Sequence, residues 1–425
     1  MAWRRPRRPS FGLGLLLAAQ ALACQAEPQA ITVWRHQTGD AEMAASAASV
    51  DRFNRSQGRR RVQVEAIPQG AYPQAVTAAA LAGRLPCALT LDQPQVPNFA
   101  DAGHLRPMAQ ALRPAGTESL IAGARSLYQG QLYAVGQFDV ALALFARASV
   151  LQRQQVRVAA LAQPYTASEF RDILRRLQRA GLRYPLDANA QLTGEWAAYA
   201  HSPWLVSGGA DLVDRRKPSR AEGVLNSDAA LAVVDYYQSL FAERLAPRKP
   251  VDDLAFASGR AVFHFTGSWS AADYRRRFAD DLLALPVPDF GAGPKIGAGS
   301  WQWAISSRCA QPEAARDFIA HLISSDEIVA FSDATGLMPT SAAAADRSQH
   351  FRVGAFGRTF FDFAQAQAVS RPATALYPLI SSSFERALQE VREGADSAQA
   401  LDRAVEAIEL GARRQQRRGA NHVSP

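Results

Sequence analysis

Trp269, Trp301 and Trp303 each stand close to glycine or serine within the stretch 256–307, on polar segments set around apolar runs. Indole offers a broad flat face and one N–H donor. Rings carried on glycine-flanked loops, rather than at helical core spacing, suit a surface that faces a ligand. The competing reading makes all three ordinary core tryptophans. Covalent chemistry has no comparable signature. The seven histidines show no HxxxH pair or other metal spacing, and no GxSxG elbow is present. Gly291-Ala292-Gly293 is followed by Pro294 and leads into a strand, so it is neither a phosphate loop nor a dinucleotide fingerprint. Asp252-Asp253 and Asp280-Asp281 are adjacent acids on polar faces, which solvation explains. No cofactor or metal is called for.

The elements that must position the tryptophans can be read around them. Ala261–Phe265 reads as a buried strand broken by Thr266-Gly267, Tyr274–Asp281 as a polar helix, and Leu282–Val287 as a second apolar run. A Pro/Gly-rich loop then leads into Ser300–Ile305, which alternates like a strand. Nearer the start, Ala30–Trp34, Arg61–Ile67 and Ala88–Asp92 read as strands, with helices over Ala41–Gln57 and Ala71–Ala82 between them. This β-α-β-α-β order opens a parallel sheet, whose ligands bind beyond the carboxyl ends of the strands. Those ends carry His36 to Asp40, then Gln69 and Tyr72, then Asp92 and Gln93, which are polar and varied, unlike a phosphate cradle. Leu132–Leu144 suits a chain passing from one lobe to another, and Thr166 with Glu169 forms a capping box for a helix to Arg179. Further helices fall at 224–242, 312–323, 381–392 and 398–410.

With 425 residues the chain exceeds one core, since cores stop growing at roughly 250–300 residues, and two lobes are expected. Residues 1–26 read as a secretory signal peptide: Arg4, Arg5, Arg7 and Arg8 precede an apolar run from Phe11 to Leu22. Cleavage after Ala26 gives a soluble exported product; acylation of Cys24 is the alternative. The net charge of +8 is misleading. Four arginines in the signal peptide and four in the tail account for eight of the 47 basic residues, leaving 39 against 39 acidic ones. A neutral body gives no electrostatic case for nucleic acid. The basic tail, 412–425, reads as disordered.

The segments ITVWRHQTGD, FNRSQGRRRVQVEAIPQGAY, GQFDVALALFARASVL, FASGRAVFHFTGSW, GSWQWAISSRCAQPEAARDFI and RPATALYP, in that order and spacing, resemble the extracellular solute-binding proteins of bacterial ABC importers, in the maltose-binding-like sugar family. The resemblance spans the mature chain. It implies an α/β periplasmic-binding-protein fold of two lobes, each an open, mostly parallel sheet flanked by helices, joined by three crossing segments. Lobe 1 takes residues 27–135 and 300–355, and lobe 2 takes 138–299 and 358–411, with hinges near Gly136, Ser300 and Gly357. Ligand contact carries over first to Asp139, Trp196, Trp269, Trp301 and Arg371, then to Asp40, Gln69, Gln93 and Tyr377. The residue types agree independently. A pyranose presents apolar C–H faces to aromatic rings and a rim of hydroxyls to Asp, Glu, Gln and Arg, so Glu195 joins the set. Gln93 departs from the family, where glycine follows the aspartate; its longer side chain narrows the cleft and favours a small sugar.

The resemblance also bears on the cysteines. Apart from Cys24, only Cys87 and Cys309 remain, and in an exported protein two such cysteines are expected to pair. In the resembled fold the strand before Cys309 returns antiparallel beside the strand that Cys87 begins. Two buried free thiols are the alternative. The resulting expectation is a monomeric periplasmic binding protein that takes up a mono- or small oligosaccharide by hinge closure and hands it to an ABC permease, with no catalysis. A same-fold receptor for a polyol, sugar phosphate or peptide is the runner-up. An exported glycoside hydrolase stays open too, because Asp139 and Glu195 could serve as the two inward carboxylates, about 5–10 Å apart, that such chemistry needs.

Overall fold

A computed structural model describes residues 1, 29–108, 112 and 119–422. Apart from Met1, the expected signal peptide, Cys24 included, lies outside the described residues. The chain opens as its periodicity requires: β1 (Gln29–Gln37), helix Asp40–Ser56, β2 (Arg60–Pro68), helix Tyr72–Leu81, β3 (Ala88–Asp92). β1 pairs in parallel with both β2 and β3, setting Val33 beside Val64 and Ala88. Ile31, Val33 and Val62 turn inward against Val50 and Phe53 of the first helix. Burial of these faces, at roughly 25 cal/mol per Å² of apolar surface, is what holds helix to sheet.

β4 (Leu105–Arg106), β5 (Arg125–Tyr128) and β6 (Gln131–Val135) follow, and together with a late strand, Trp301–Ser306, complete a seven-stranded sheet. After β7 (Phe138–Asp139), a second sheet of four is built from β8 (Leu142–Arg147), β9 (Leu186–Asp187), β10 (Phe263–Gly267) and β11 (Leu282–Leu285), in the order β11-β8-β10-β9. β12 (Ile296–Gly297) precedes the late strand, now β13 (Trp301–Ser306), which fixes the first sheet's order as β2-β1-β3-β13-β6-β5, with β4 also on β13. β14 (Met338–Pro339) pairs with β7, and β15 (Ala368–Val369) with β12.

The chain therefore passes between the sheets at 136–141, at 286–300 and again after β14. The small β7–β14 and β12–β15 ladders lie on or beside these passages. Helices Tyr377–Glu393 and Ser397–His422 pack on each other and on helices Glu195–Ser207 and Asp228–Ala242, over a core that includes Phe145, Phe265, Phe361 and Phe384. Met338, Ala345 and Phe351 join that same core, although 300–355 was read with the first lobe. No helix among the described residues is long and apolar enough to cross a membrane.

The structure corrects the sequence reading in three places. Neither of the two main sheets is mostly parallel: within them, parallel pairing among the described residues is limited to β1 with β2 and β3, and to β9 with β10. The returning β13 runs against β3, β4 and β6, and β8 runs against β10 and β11. Thr266 and Gly267 do not break the strand but continue it, paired with Ala143 and Leu142. The last helix runs on to His422 through residues read as a disordered tail, and Arg413 pairs with Glu409 one turn back. The capping box, by contrast, forms as expected, with Thr166 Oγ1 accepting from the Glu169 N–H at 3.1 Å.

Antiparallel pairing of β13 with β3 sets Ile305 opposite Ala88, which brings the next residue out, Cys87, close to Cys309. The two form a disulfide with Cα atoms 4.4 Å apart.

Candidate functional site

Arg371 lies between the two sheets with its side chain 2% exposed. Its Nη1 donates to Glu195 Oε1 at 2.6 Å, and Nη2 donates to Asp92 Oδ1 at 3.3 Å and, more weakly, to the Gly299 carbonyl at 3.5 Å. Asp92 ends β3 of the first sheet; Glu195 opens a helix packed in the second core. One guanidinium thus joins residues from both halves of the molecule. Burying such a charge costs several kcal/mol unless it is paired, and two carboxylates meet its Nη1 and Nη2 donors here, while the buried Nε–H has no acceptor among the described residues. Glu195 also accepts from the hydroxyls of Tyr377 and Ser381, the latter at 2.8 Å. Beneath the guanidinium, 5.0 Å away, is the ring of Tyr199.

Asp139 sits in β7 at 2% exposure. Its Oδ1 accepts the Val140 N–H at 2.8 Å, and no ion pair reaches it among the described residues. Burial pushes its carboxyl up to about 7, against smaller opposing pulls from the Val140 N–H and Arg371. Room for Oδ2 exists because residue 123 is glycine: a Cβ there would come within 2.5 Å of it. Burial also holds Asp92 above the ordinary carboxylate range, in spite of Arg371 beside it.

Two aromatic groups flank these charges. On the side of the second sheet, Trp269 follows β10 and leaves 42% of its surface exposed. Gly267 carries no Cβ, and the Trp269 indole occupies the space where one would stand. Trp196 meets Trp269 edge-on at 6.3 Å, and Tyr199 lies tilted to it at 6.4 Å. The Trp196 Nε1–H is buried and has no acceptor. On the side of the first sheet, Trp301 stacks on His36 with centroids 3.7 Å apart and meets Tyr72 edge-on at 5.6 Å. Burial, helped by Arg35, takes the His36 ring down to about 3, so it is a neutral partner.

Of the residues expected to contact ligand, the structure brings Glu195, Arg371 and Tyr377 into one network and places Asp139, Trp196 and Trp269 close around it. Trp301 pairs across the sheet with Asp92. Gln93 is buried against Gly299, its Oε1 without a donor. Asp40 and Gln69 are exposed and no side-chain contact joins them to the cluster. Asp40 lies in the first turn of its helix, where an acid complements the helix dipole. Trp303 is a core residue, set edge-on to Phe318 at 5.6 Å.

Asp92, Tyr199, Ser381 and His36 complete the cluster and were not in the expected set. Helical spacing could have found two of them, since Tyr199 lies three residues after Trp196 and Ser381 four after Tyr377, each on the same helix face. No group of three or more metal-ligating side chains forms among the described residues. A separate open groove of about 1060 Å³, lined by Arg183, Tyr184, Arg248 and Lys249 among others, shares no residue with this cluster.

Residues 48–352 match the family described as bacterial extracellular solute-binding protein. No curated protein matches the sequence. Among solved structures, the GacH receptor of Streptomyces glaucescens, determined unliganded and with acarbose, is 21% identical and superposes with a TM-score of 0.76, covering 91% of this chain and 98% of its own. The cyclic α-maltosyl-1,6-maltose binding protein of Arthrobacter globiformis is 21% identical, with a TM-score of 0.73 and coverages of 90% and 98%. A solute-binding protein of a Thermotoga lettingae ABC transporter, bound with α-D-tagatose, is 20% identical, with a TM-score of 0.76 and coverages of 90% and 99%. At these identities the likeness shows a shared fold.

Proposed function

This chain belongs to the bacterial extracellular solute-binding proteins, and we propose that it captures a sugar between its two sheets and delivers it to the membrane permease of an ABC importer. The observation that carries this reading is Arg371, held by Asp92 of one half and Glu195 of the other, between the Trp196–Trp269 and Trp301–His36 aromatic groups. Rings stack on the C–H faces of a pyranose, and paired carboxylate and guanidinium groups exchange hydrogen bonds with its hydroxyls. The ligand set is Asp139, Glu195, Trp196, Trp269, Trp301, Arg371, Tyr377 and Gln93, extended by Asp92 and Tyr199.

One lobe is 27–135 with 300–355, whose end from Met338 onward also packs into the core of the other, 138–299 with 358–411, and the three passages between the sheets serve as hinges near Gly136, Ser300 and Gly357. A ligand touching both lobes favours the closed form by its extra contacts there, and the closed form docks on the permease. No bond is made or broken. Residues 1–26 are the signal peptide of a monomeric periplasmic protein, with Cys24 as a lipid anchor the other route. Similar folds bind acarbose, a cyclic maltosyl-maltose and tagatose, which supports a mono- to small oligosaccharide.

A thermal-shift screen of the mature protein against sugars, polyols, sugar phosphates and peptides tests this. A ligand confined to the native state adds about 4 kcal/mol at a thousandfold excess over Kd. A large upward shift with a sugar, and no product on long incubation, is the expected result. A shift only with a non-sugar, or slow turnover, overturns it.

A further inference from the structure

Three carboxyl groups gather around a single cation at this junction. Asp92, Asp139 and Glu195 all feel Arg371, and none of them has another cationic partner among the described residues. Arg371 spends its 2.6 Å contact on Glu195 and reaches Asp92 only at 3.3–3.5 Å. Among the described residues Asp139 has one hydrogen-bond donor, the Val140 N–H.

Among the described residues, buried polar atoms of both kinds stay unpaired around these acids: the Arg371 Nε–H and Trp196 Nε1–H have no acceptor, while Gln93 and Tyr199 can accept from a donor. Gln93 Oε1 is an acceptor with no donor, on a residue 7% exposed. The Tyr199 hydroxyl, also on a residue 7% exposed, has no partner among the described residues, and Asp139 is the charge that acts on it most. A sugar hydroxyl brings one donor and no charge. An ammonium brings up to three donors and one positive charge, and its attraction to a buried carboxylate grows as water is excluded. Indole and phenol faces also attract a cation, and Trp269 and Tyr199 stand beside the acids.

We propose that the ligand is an amine-bearing sugar or aminocyclitol whose protonated nitrogen lies between Asp139 and Asp92. This rests on the sugar-binding reading above and narrows it. The ammonium donates to Asp139 Oδ2 and Asp92, while ring C–H faces stack on tryptophan as in a neutral sugar.

The experiment is calorimetric titration at pH 7.5 of the mature protein with matched pairs of mono- and disaccharides in which one hydroxyl, at C2, C3, C4 or C6, is exchanged for a primary amine. The tightest ligand is expected to be an amine, binding at least about tenfold better than its hydroxyl partner. Asp139→Asn keeps size and the Val140 contact but removes the charge; the preference, read as the ratio of affinities within each pair so that any loss common to both members cancels, should fall to about threefold or less. If the tightest ligand is neutral and no amino partner improves on it, the amine inference is wrong and sugar binding stands. If the amine preference survives in Asp139→Asn, the nitrogen is not held by Asp139 and the assignment fails. Absence of binding by both halves of every pair would remove the sugar reading itself, a different result from a neutral preference.

Discussion

Trp301 stands directly across the β13–β3 ladder from Asp92, so an aromatic face and a carboxylate leave the first sheet side by side. Antiparallel partners project to the same face, and here they sit at the strand ends nearest Arg371. Trp303, two residues further along the same strand, is packed on Phe318 instead. Trp301→Ala or Trp269→Ala should weaken sugar binding by at least ~1.5 kcal/mol, the scale of a lost aromatic anchor, with little change in melting temperature. Trp303→Ala should lower stability by about 3–5 kcal/mol. Paired calorimetry and denaturation separate the two roles, and a Trp301→Ala protein that binds normally returns Trp301 to the core.

Replacing Arg371 by methionine leaves Asp92 and Glu195 facing each other without a cation. Removing one member of a buried ion pair costs about 3–5 kcal/mol, so the denaturation midpoint should fall markedly and ligand binding should be lost. Arg371→Lys retains the charge but not the fork that spans two carboxylates, and should recover only part of the stability. Urea unfolding of the three proteins checks the order.

The pH dependence follows from Asp139. Its folded carboxyl titrates at about 7, above the roughly 3.9 of an unfolded aspartate. The neutral acid is therefore the form the fold tolerates. Its full contribution is present below about pH 4 and is lost as pH rises through 7, a swing on the order of 3–4 kcal/mol. Asp139→Asn should flatten this slope and be more stable than the parent above pH 7. Equal slopes in both proteins between pH 4 and 8 would mean that Asp139 is not the group responsible.

The Cys87–Cys309 bridge spans 222 residues and pins the returning β13 to β3. In the chain-entropy model a loop of that length is worth about 5 kcal/mol. Cys87→Ser with Cys309→Ser should lose stability of that order, measured by guanidinium unfolding. A loss below about 1 kcal/mol would place the hold on β13 in its ladder instead.

Gln93 fills space against Gly299, where the backbone φ of +87° already favours glycine. Gln93→Ala should raise affinity for longer oligosaccharides relative to shorter ones. An unchanged ratio across a chain-length series would show that Gln93 does not limit ligand size.

Local periodicity was enough for the first five elements and the Thr166–Glu169 cap, because each is set by residues within a few positions of one another. The Cys87–Cys309 pairing followed from a count of two and a resemblance of fold. Strand direction beyond β3 was not legible, since alternation looks the same in parallel and antiparallel ladders. Nor could a period of two separate Trp301 from Trp303; what lies over each ring decided that. Arg371 meets Glu195 across 176 residues and Asp92 across 279. Burial and charge at that junction are properties of segments the chain brings together only on folding, so the residue types came from the sequence and their meeting at one buried site from the tertiary structure.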